Sequence, residues 1–453
     1  MRDLVITLIV VAAVPLAVMR PWTGVIAWSW ISYMNPHRMA WGFAYNLPFA
    51  QIIGIATLIG TVFHRGPKSL PRGWLMWVWF ALIGWMCITT FVALDGEAAR
   101  PQWERVMKIQ LFSMITLMLI RDRRQIDALA WITVASLGFF GLKGGLFALR
   151  VGGESRVWGP PDSIIADNNA LAVALLMAIP LMRYLQLTTT SKFLRWGLIA
   201  TMVTSGLSIL SSQSRGALLA SCAMLLFMIA KSRHRMRVIL ACILIVPAAL
   251  MFMPQSWYER METLQTYQED KSAMGRITAW EFAIDMSSER FTGGGFQSFN
   301  ESNYKRFSPD IAAEVMRRDG RYQGAHSIYF QMLGDHGVPG LMLFLLLMFG
   351  GMRTASRVAR TAGPRPDMQW MADLARMIQV SLISFAVGGA FLELAYFDFF
   401  FQLVGMTLMM QRLLSSAPHA TPAGAAARLM PALRPEESGR LARGQGGASL
   451  RQH

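Results

Sequence analysis

An all-α polytopic integral membrane protein is the fold class this sequence predicts, and three observations predict it. Apolar residues make up 54% of the chain and its mean hydropathy is +0.37, which is too greasy for a soluble multidomain protein. Apolar runs close to the ~20 residues that a bilayer-crossing helix needs recur from end to end. The Lys and Arg residues fall in short clusters between those runs, the pattern of loops held on one side of a membrane.

Taken in order, apolar segments are expected at roughly 4–18, 22–34, 46–63, 74–94, 103–120, 126–147, 170–187, 194–210, 216–230, 238–253, 328–350, 374–392 and 397–411. The first two are short for a ~30 Å hydrocarbon core. They read either as two short helices or as one span broken at Arg20-Pro21, so the total is about twelve or thirteen transmembrane helices. The run from Leu4 to Val18 has the look of a signal sequence. Arg20-Pro21-Trp22 stands where a small-residue cleavage site is needed, and the run is expected to remain in the mature protein.

In a soluble protein the formal charge of +16 suggests nucleic acid. Here the clustering of the basic residues argues for membrane loops, and no nucleic-acid partner is expected. One alternate set of loops (64–73, 121–125, 188–195, 231–237, 351–373) holds sixteen Lys and Arg, the other (35–45, 95–102, 148–169, 211–215, 393–396) five. The positive-inside rule puts the first set in the cytoplasm, and alternation then puts 254–326 outside. The expected divisions are N-terminal membrane helices at 1–253, a large outer loop at 254–326, C-terminal membrane helices at 327–413, and a basic cytoplasmic tail at 414–453. The tail is rich in Pro and Ala and is expected to be disordered.

Only the outer loop has room for a folded extramembrane element. Ile277, Trp280 and Ile284 recur at helical spacing between Ser272 and Glu289, which predicts a short amphipathic helix lying on the membrane. Gly293-Gly294-Gly295 reads as the turn after it. Cys87, Cys222 and Cys242 lie inside apolar runs without metal-ligand spacing and read as small core residues. There is no internal repeat and no zinc, P-loop or dinucleotide motif in a credible context.

Among the polar residues, His326 stands where the long polar segment runs back into an apolar one. Imidazole is the side chain best poised for proton transfer near neutral pH; the structural alternative is that His326-Ser327 caps the following helix. Arg215 sits in the tight turn Ser211-Ser212-Gln213-Ser214-Arg215-Gly216, as a snorkelling end-cap or as an anion ligand with Gln213 and the serines beside it. Arg276, expected in the first turn of the amphipathic helix, is an anion-site candidate or a solvated surface residue. Arg156 with Asn168 and Asn169 offers glycan contacts, which loop capping explains equally well for Asp167 and Asn169. Gly337 and Gly340 serve helix packing or substrate access. His336, deeper in the same span, reads as structural.

Three of these motifs taken together, His326-Ser327-x9-Gly337-x-x-Gly340, Ser214-Arg215-Gly216 and Gly275-Arg276-x-x-x-Trp280, resemble the O-antigen ligase superfamily. More narrowly, Met1-Arg2-Asp3-Leu4, Tyr33-Met34-Asn35-Pro36-His37-Arg38 and Trp41-Gly42-Phe43-Ala44 resemble the O-glycosylation ligases associated with the exosortase A system. The resemblance runs to about Leu413. It departs at Leu341-Met342, where many lipopolysaccharide ligases carry Thr-Val, which weakens a lipid A core acceptor.

The resemblance implies a metal-independent glycosyl transfer at the periplasmic face of the bacterial inner membrane, from an undecaprenyl diphosphate-linked glycan to a hydroxyl of a sugar, lipid or protein. It implies His326 as general base, Arg215 and Arg276 as the diphosphate clamp, and no cofactor. The outer loop is then periplasmic. A polysaccharide polymerase of the same superfamily is the nearest alternative. A polar-lipid transporter or flippase is another, although it calls for ionisable groups near the bilayer midplane, and Lys108, Lys143 and Glu393 can all be argued toward span ends.

Overall fold

The computed structural model describes residues 1–262 and 271–416; the predicted tail lies almost wholly outside them. Each of the thirteen predicted apolar segments falls on a helix: α1 (Arg2–Met19), α2 (Pro21–Met34), α3 (Phe49–Phe63), α4 (Trp74–Phe91), α5 (Gly96–Leu119), α6 (Arg123–Arg150), α7 (Asn168–Thr188), α8 (Lys192–Ser211), α9 (Arg215–Lys231), α10 (Arg235–Met251) and, after the long loop, α15 (Ile328–Ala362), α16 (Gln369–Gly388) and α17 (Asp398–Ser416). The loop holds α11 (Gln255–Glu262), α12 (Lys271–Glu289), α13 (Glu301–Phe307) and α14 (Pro309–Asp319). No strand occurs among the described residues.

Seven of the described helices are long and apolar enough to cross a membrane by length and composition: α1, α4, α6, α7, α8, α15 and α16 with its flanking turns. The rest of the expected twelve or thirteen are shorter, as in α2 and α3 with 14 and 15 residues, or more polar, as in α5 with Glu104, Arg105 and Lys108. The first two segments are separate helices. Pro21 sits at the first position of α2, where its missing N–H and fixed φ suit a helix start.

The bundle is built around α7, whose residues from Ala170 to Met182 are all buried, as expected of a helix apolar on every side. α16 packs against α7, α9 and α15, and α15 packs against α4. α6 meets α8 through small residues: a Cβ on Gly141 or Gly144 would lie 2.0 or 2.4 Å from the hydroxyls of Ser205 and Ser208, so the two backbones approach closely. α10 buries only Val238. The cysteines are free; Cys222 is exposed and not a core residue, whereas Cys87 and Cys242 are half-buried, Cys87 against Met107 and Cys242 against the main apolar core.

The two sets of loops gather at opposite ends. At one end Arg121 and Arg412 both donate to Ser69 O, and Arg123, Thr188, Arg233 and Pro366 line one cavity. At the other end the 35–45, 92–95, 151–167, 211–214, 290–327 and 389–397 segments interlock. Asp3 Oδ1 accepts the N–H groups of Gly42 and Ala44 at 3.0 and 3.1 Å, so the N-terminal motif and the Trp41-Gly42-Phe43-Ala44 motif hold each other. Arg38 pairs with Asp162 at 3.3 Å, tying the same block to the loop before α7. Large exposed aromatics mark both ends, with Trp41, Phe91 and Trp158 at this one and Phe63, Trp77, Phe193 and Trp196 at the other, the arrangement of interfacial belts.

The predicted amphipathic helix exists as α12, but its buried face differs from the expected one. Thr278, Ala279, Phe282, Ala283 and Met286 are buried while Ile284 is 51% exposed. The Ala and Thr positions let α12 lie close against the first turns of α15, and Trp280 completes the contact by stacking on Phe330 at 4.9 Å. The glycine turn follows as expected, with positive φ at Gly293 and Gly295.

Candidate functional site

His326 is the last residue before α15's cap position, at φ 43, a left-handed conformation that few non-glycine residues adopt. Three hydrogen bonds from separate elements hold the turn around it. Tyr304 Oη of α13 donates to Gln323 O at 2.9 Å, Trp280 Nε1 of α12 donates to Ala325 O at 2.8 Å, and the N–H of His326 itself donates to Glu393 Oε1 at 3.1 Å. A Cβ on Gly324 would sit 1.9 Å from that same Glu393 oxygen, so the carboxylate lies directly on the glycine backbone. Burial raises the Tyr304 phenol above its ordinary pKa and the charge of Glu393 adds to the shift, which keeps Tyr304 a donor.

The imidazole is half-buried and makes no hydrogen bond among the described residues, which leaves its ring nitrogens uncommitted to a protein partner there. Ser327 occupies the cap position of α15 without a cap bond. Its buried hydroxyl has no hydrogen-bond partner among the described residues, which corrects the capping alternative for this pair.

Arg215 is the first residue of α9, behind the N-cap Ser214, whose hydroxyl accepts from Ala217 N at 3.2 Å. The preceding turn is made by Gln213 at φ 54. Its amide donates to Glu154 O at 3.1 Å and accepts from Arg156 Nε at 3.5 Å. Buried Asn168 donates to Ser212 O at 2.7 Å. The structure therefore brings Arg156, Asn168, Gln213 and Arg215 together, with α9's N-terminus among them, an electropositive place. Asn169 is spent locally: with Ala170 it donates to the N-cap Asp167.

Arg276 lies inside α12, five residues past the first described residue Lys271, and not in its first turn. The helix-terminus part of its anion-site rationale is lost; its guanidinium remains. Its neighbour Gly275 packs on Gln323, where a Cβ would be 2.4 Å from the side-chain oxygen, so Arg276 stands beside the His326 turn. On the other flank a Cβ on Gly216 would meet Phe391 at 3.1 Å, two residues from Glu393. The short segment Gly389–Tyr396 thus links the arginine turn to the histidine turn.

Beneath lies a buried polar network that sequence reasoning had read, for His336, as structural. Asp335 and His336 are 3% and 0% exposed. Tyr396 Oη donates to Asp335 Oδ2 at 2.8 Å and lies 2.9 Å from His336 Nε2. Ser298 donates to Asp335 Oδ1 through its hydroxyl at 2.8 Å, and Thr89 Oγ1 lies 2.7 Å from His336 Nδ1. Gly337 then breaks α15 at φ 66, ψ −172, with Phe291 O only 2.0 Å from where a Cβ would be. Gly340 packs on His336 and Trp85. Both motif glycines therefore serve close packing around this network. Glu393 and Tyr396 are the residues sequence reasoning missed as site partners; their signal was a single carboxylate, Glu393, in the short gap between two apolar helices.

Compared with known proteins, residues 1–190 match a family of unknown function (DUF5935), and no curated protein matches the chain. Residues 200–345 match the family model described as O-Antigen ligase. That stretch carries Arg215, Arg276, His326, Gly337 and Gly340, and the match supports a glycan function of the ligase or polymerase type.

Proposed function

We propose that the protein is a glycan ligase that transfers an oligo- or polysaccharide from undecaprenyl diphosphate to a hydroxyl acceptor at the periplasmic face of the inner membrane. The observation that carries this reading is the convergence at one end of the bundle. The His326 turn and the Arg215 turn flank Gly389–Tyr396, and the Arg276 helix packs on the His326 turn, although the three come from distant parts of the chain. The three residues lie in the stretch that matches the O-antigen ligase family, and the five-against-sixteen distribution of Lys and Arg favours the outer side for that end.

In this mechanism His326 takes the proton of the acceptor hydroxyl as its oxygen attacks the anomeric carbon. Arg215 and Arg276 hold the diphosphate and offset the charge that grows on it as the anomeric bond breaks. A lipid diphosphate is already an activated leaving group, and in-line displacement inverts the anomeric centre. The test is a reaction of purified protein with a lipid-linked donor and separate candidate acceptors, read by gel mobility of the products. The expected result is glycan on a non-lipid-diphosphate acceptor; a ladder of longer lipid-linked chains instead identifies a polymerase and overturns the ligase reading.

A further inference from the structure

Away from the histidine turn, but at the same end of the bundle, a groove of about 380 Å³ with a mixed polar and apolar lining opens between the start of α5 and the turn after the glycine stretch. The ends are assigned by the α4–α15 packing. A Cβ on Gly350 would touch Trp74 and Leu75, whereas Thr89 meets His336, so the two helices run antiparallel and the Val92–Asp95 end of α4 lies on the His326 side. One wall carries Asp95, Gln102 and Arg105, the other Gln297, Phe299 and Asn300.

The groove is built before anything binds. Leu94 N donates to Gly294 O at 3.0 Å and the Arg290 guanidinium donates to Val92 O, which latches the two walls together. Asp95 caps α5 through Ala98 N at 3.0 Å. Asn300 caps α13 through Asn303 N and donates its own amide to Gln297 O at 3.2 Å. Gln297 is held at φ 61. Behind the second wall, Ser298 is anchored to Asp335, and Phe299 packs on Gly334.

What the walls leave unspent defines the ligand. Among the described residues the side chains of Gln102, Arg105 and Gln297 make no hydrogen bond or ion pair, so two amides and a guanidinium face the groove beside a half-buried aromatic ring. Amides donate and accept at once, matching hydroxyls that do the same. A single guanidinium opposed by the Asp95 carboxylate gives a balanced field, which suits a hydroxyl-rich chain and not a diphosphate, for which clustered cations are the usual partners. A few convergent polar groups set among apolar surface, here Phe299, Ala98 and Pro101, are how proteins orient such ligands.

We infer that this groove is a subsite for sugar units remote from the transferred bond. The inference rests on the glycan-ligase reading. Phe299 touches α15 at Gly334, ~10 Å along the helix from its first residue. A single sugar in the groove does not reach His326, whereas an oligosaccharide spans the two. The subsite thus selects for chain length.

The test uses the full-length protein in lipid nanodiscs and the double variant Gln102→Ala/Arg105→Ala, both helix positions where alanine is well tolerated. Transfer is measured with one-repeat and three-repeat glycans. The expected result is KM raised at least tenfold for the three-repeat glycan, kcat within twofold, and no change for one repeat. A rise confined to the lipid-linked substrate assigns the groove to the donor; a rise confined to the acceptor assigns it there. Saturation-transfer NMR with three-repeat oligosaccharide freed of lipid and phosphate gives a second readout that needs no turnover. Signal in the unsubstituted protein that is lost in the variant supports the subsite. Absence of signal in the unsubstituted protein, or equal signal in both, overturns it. Failure of the unsubstituted protein to transfer glycan defeats the ligase reading alone, since the binding measurement still decides the groove.

Discussion

Glu393 Oε1 accepts the backbone N–H of His326 at 3.1 Å across 67 residues of chain. With the Trp280 and Tyr304 bonds to Ala325 and Gln323 just before it, this contact holds His326 in a left-handed conformation that is uncommon outside glycine. Such preorganisation fixes the imidazole before substrate arrives. Glu393→Ala is expected to lower kcat roughly tenfold, the factor that ~1.4 kcal/mol makes in a rate, with unchanged protein accumulation. Glu393→Gln keeps an acceptor oxygen and should recover most of the rate. Equal rates in all three proteins would show that the contact does not position His326.

Gly337 has a backbone conformation that only glycine adopts freely, and Phe291 O occupies the place of a side chain. Gly337→Ala is therefore expected to cost at least ~1–3 kcal/mol of stability and to reduce the amount of folded protein recovered in detergent. Size-exclusion profiles and thermal unfolding check this. Normal folding with lost activity would instead favour a substrate-access role for the glycine.

Tyr396 serves two buried partners, Asp335 and His336. Tyr396→Phe removes one hydroxyl and leaves both without it, at a cost of about 1–3 kcal/mol for a buried polar group deprived of its partner. The expected outcome is a melting temperature lower by several degrees with donor KM unchanged, because the network lies beneath the site and does not line it. A selective rise in donor KM at unaltered stability would mean that Tyr396 touches substrate.

The helices were legible because their signals are local. Long apolar runs and basic gaps located all thirteen segments, and the alternation of the gaps foretold which loops share an end. The ends of α5 and α15 were less legible. α5 begins seven residues early through the charged turn after Asp95, and α15 continues to Ala362 past three arginines, since exposed charged residues sit comfortably at helix ends outside an apolar window. For the candidate site, Arg215 and His326 stood out by type and place. Glu393 did not, because its contact with His326 is set by tertiary packing over 67 residues. The face of α12 was misread for a similar reason: Ala279 and Ala283 look neutral in sequence, and close approach to α15 made them the buried positions.

Arg215 stands at the start of α9 beside Gln213, Arg156 and Asn168. Lysine keeps the charge but loses the planar fork that grips two phosphate oxygens. Arg215→Lys is expected to raise donor KM by about tenfold, equivalent to ~1.4 kcal/mol, while leaving acceptor KM within twofold. Unaltered donor binding in both Arg215→Ala and Arg276→Ala would remove the diphosphate clamp.

The most direct measurement concerns His326 itself. Asparagine tolerates the left-handed conformation and can still present an N–H to Glu393, but it cannot accept a proton near neutral pH. Purified His326→Asn is expected to fold and bind lipid-linked donor like the unsubstituted protein, while its single-turnover transfer rate falls by about 10²–10⁴, the usual contribution of a general base. Transfer at an undiminished rate in His326→Asn would contradict the assignment of His326 as the base and, with it, the account of the site.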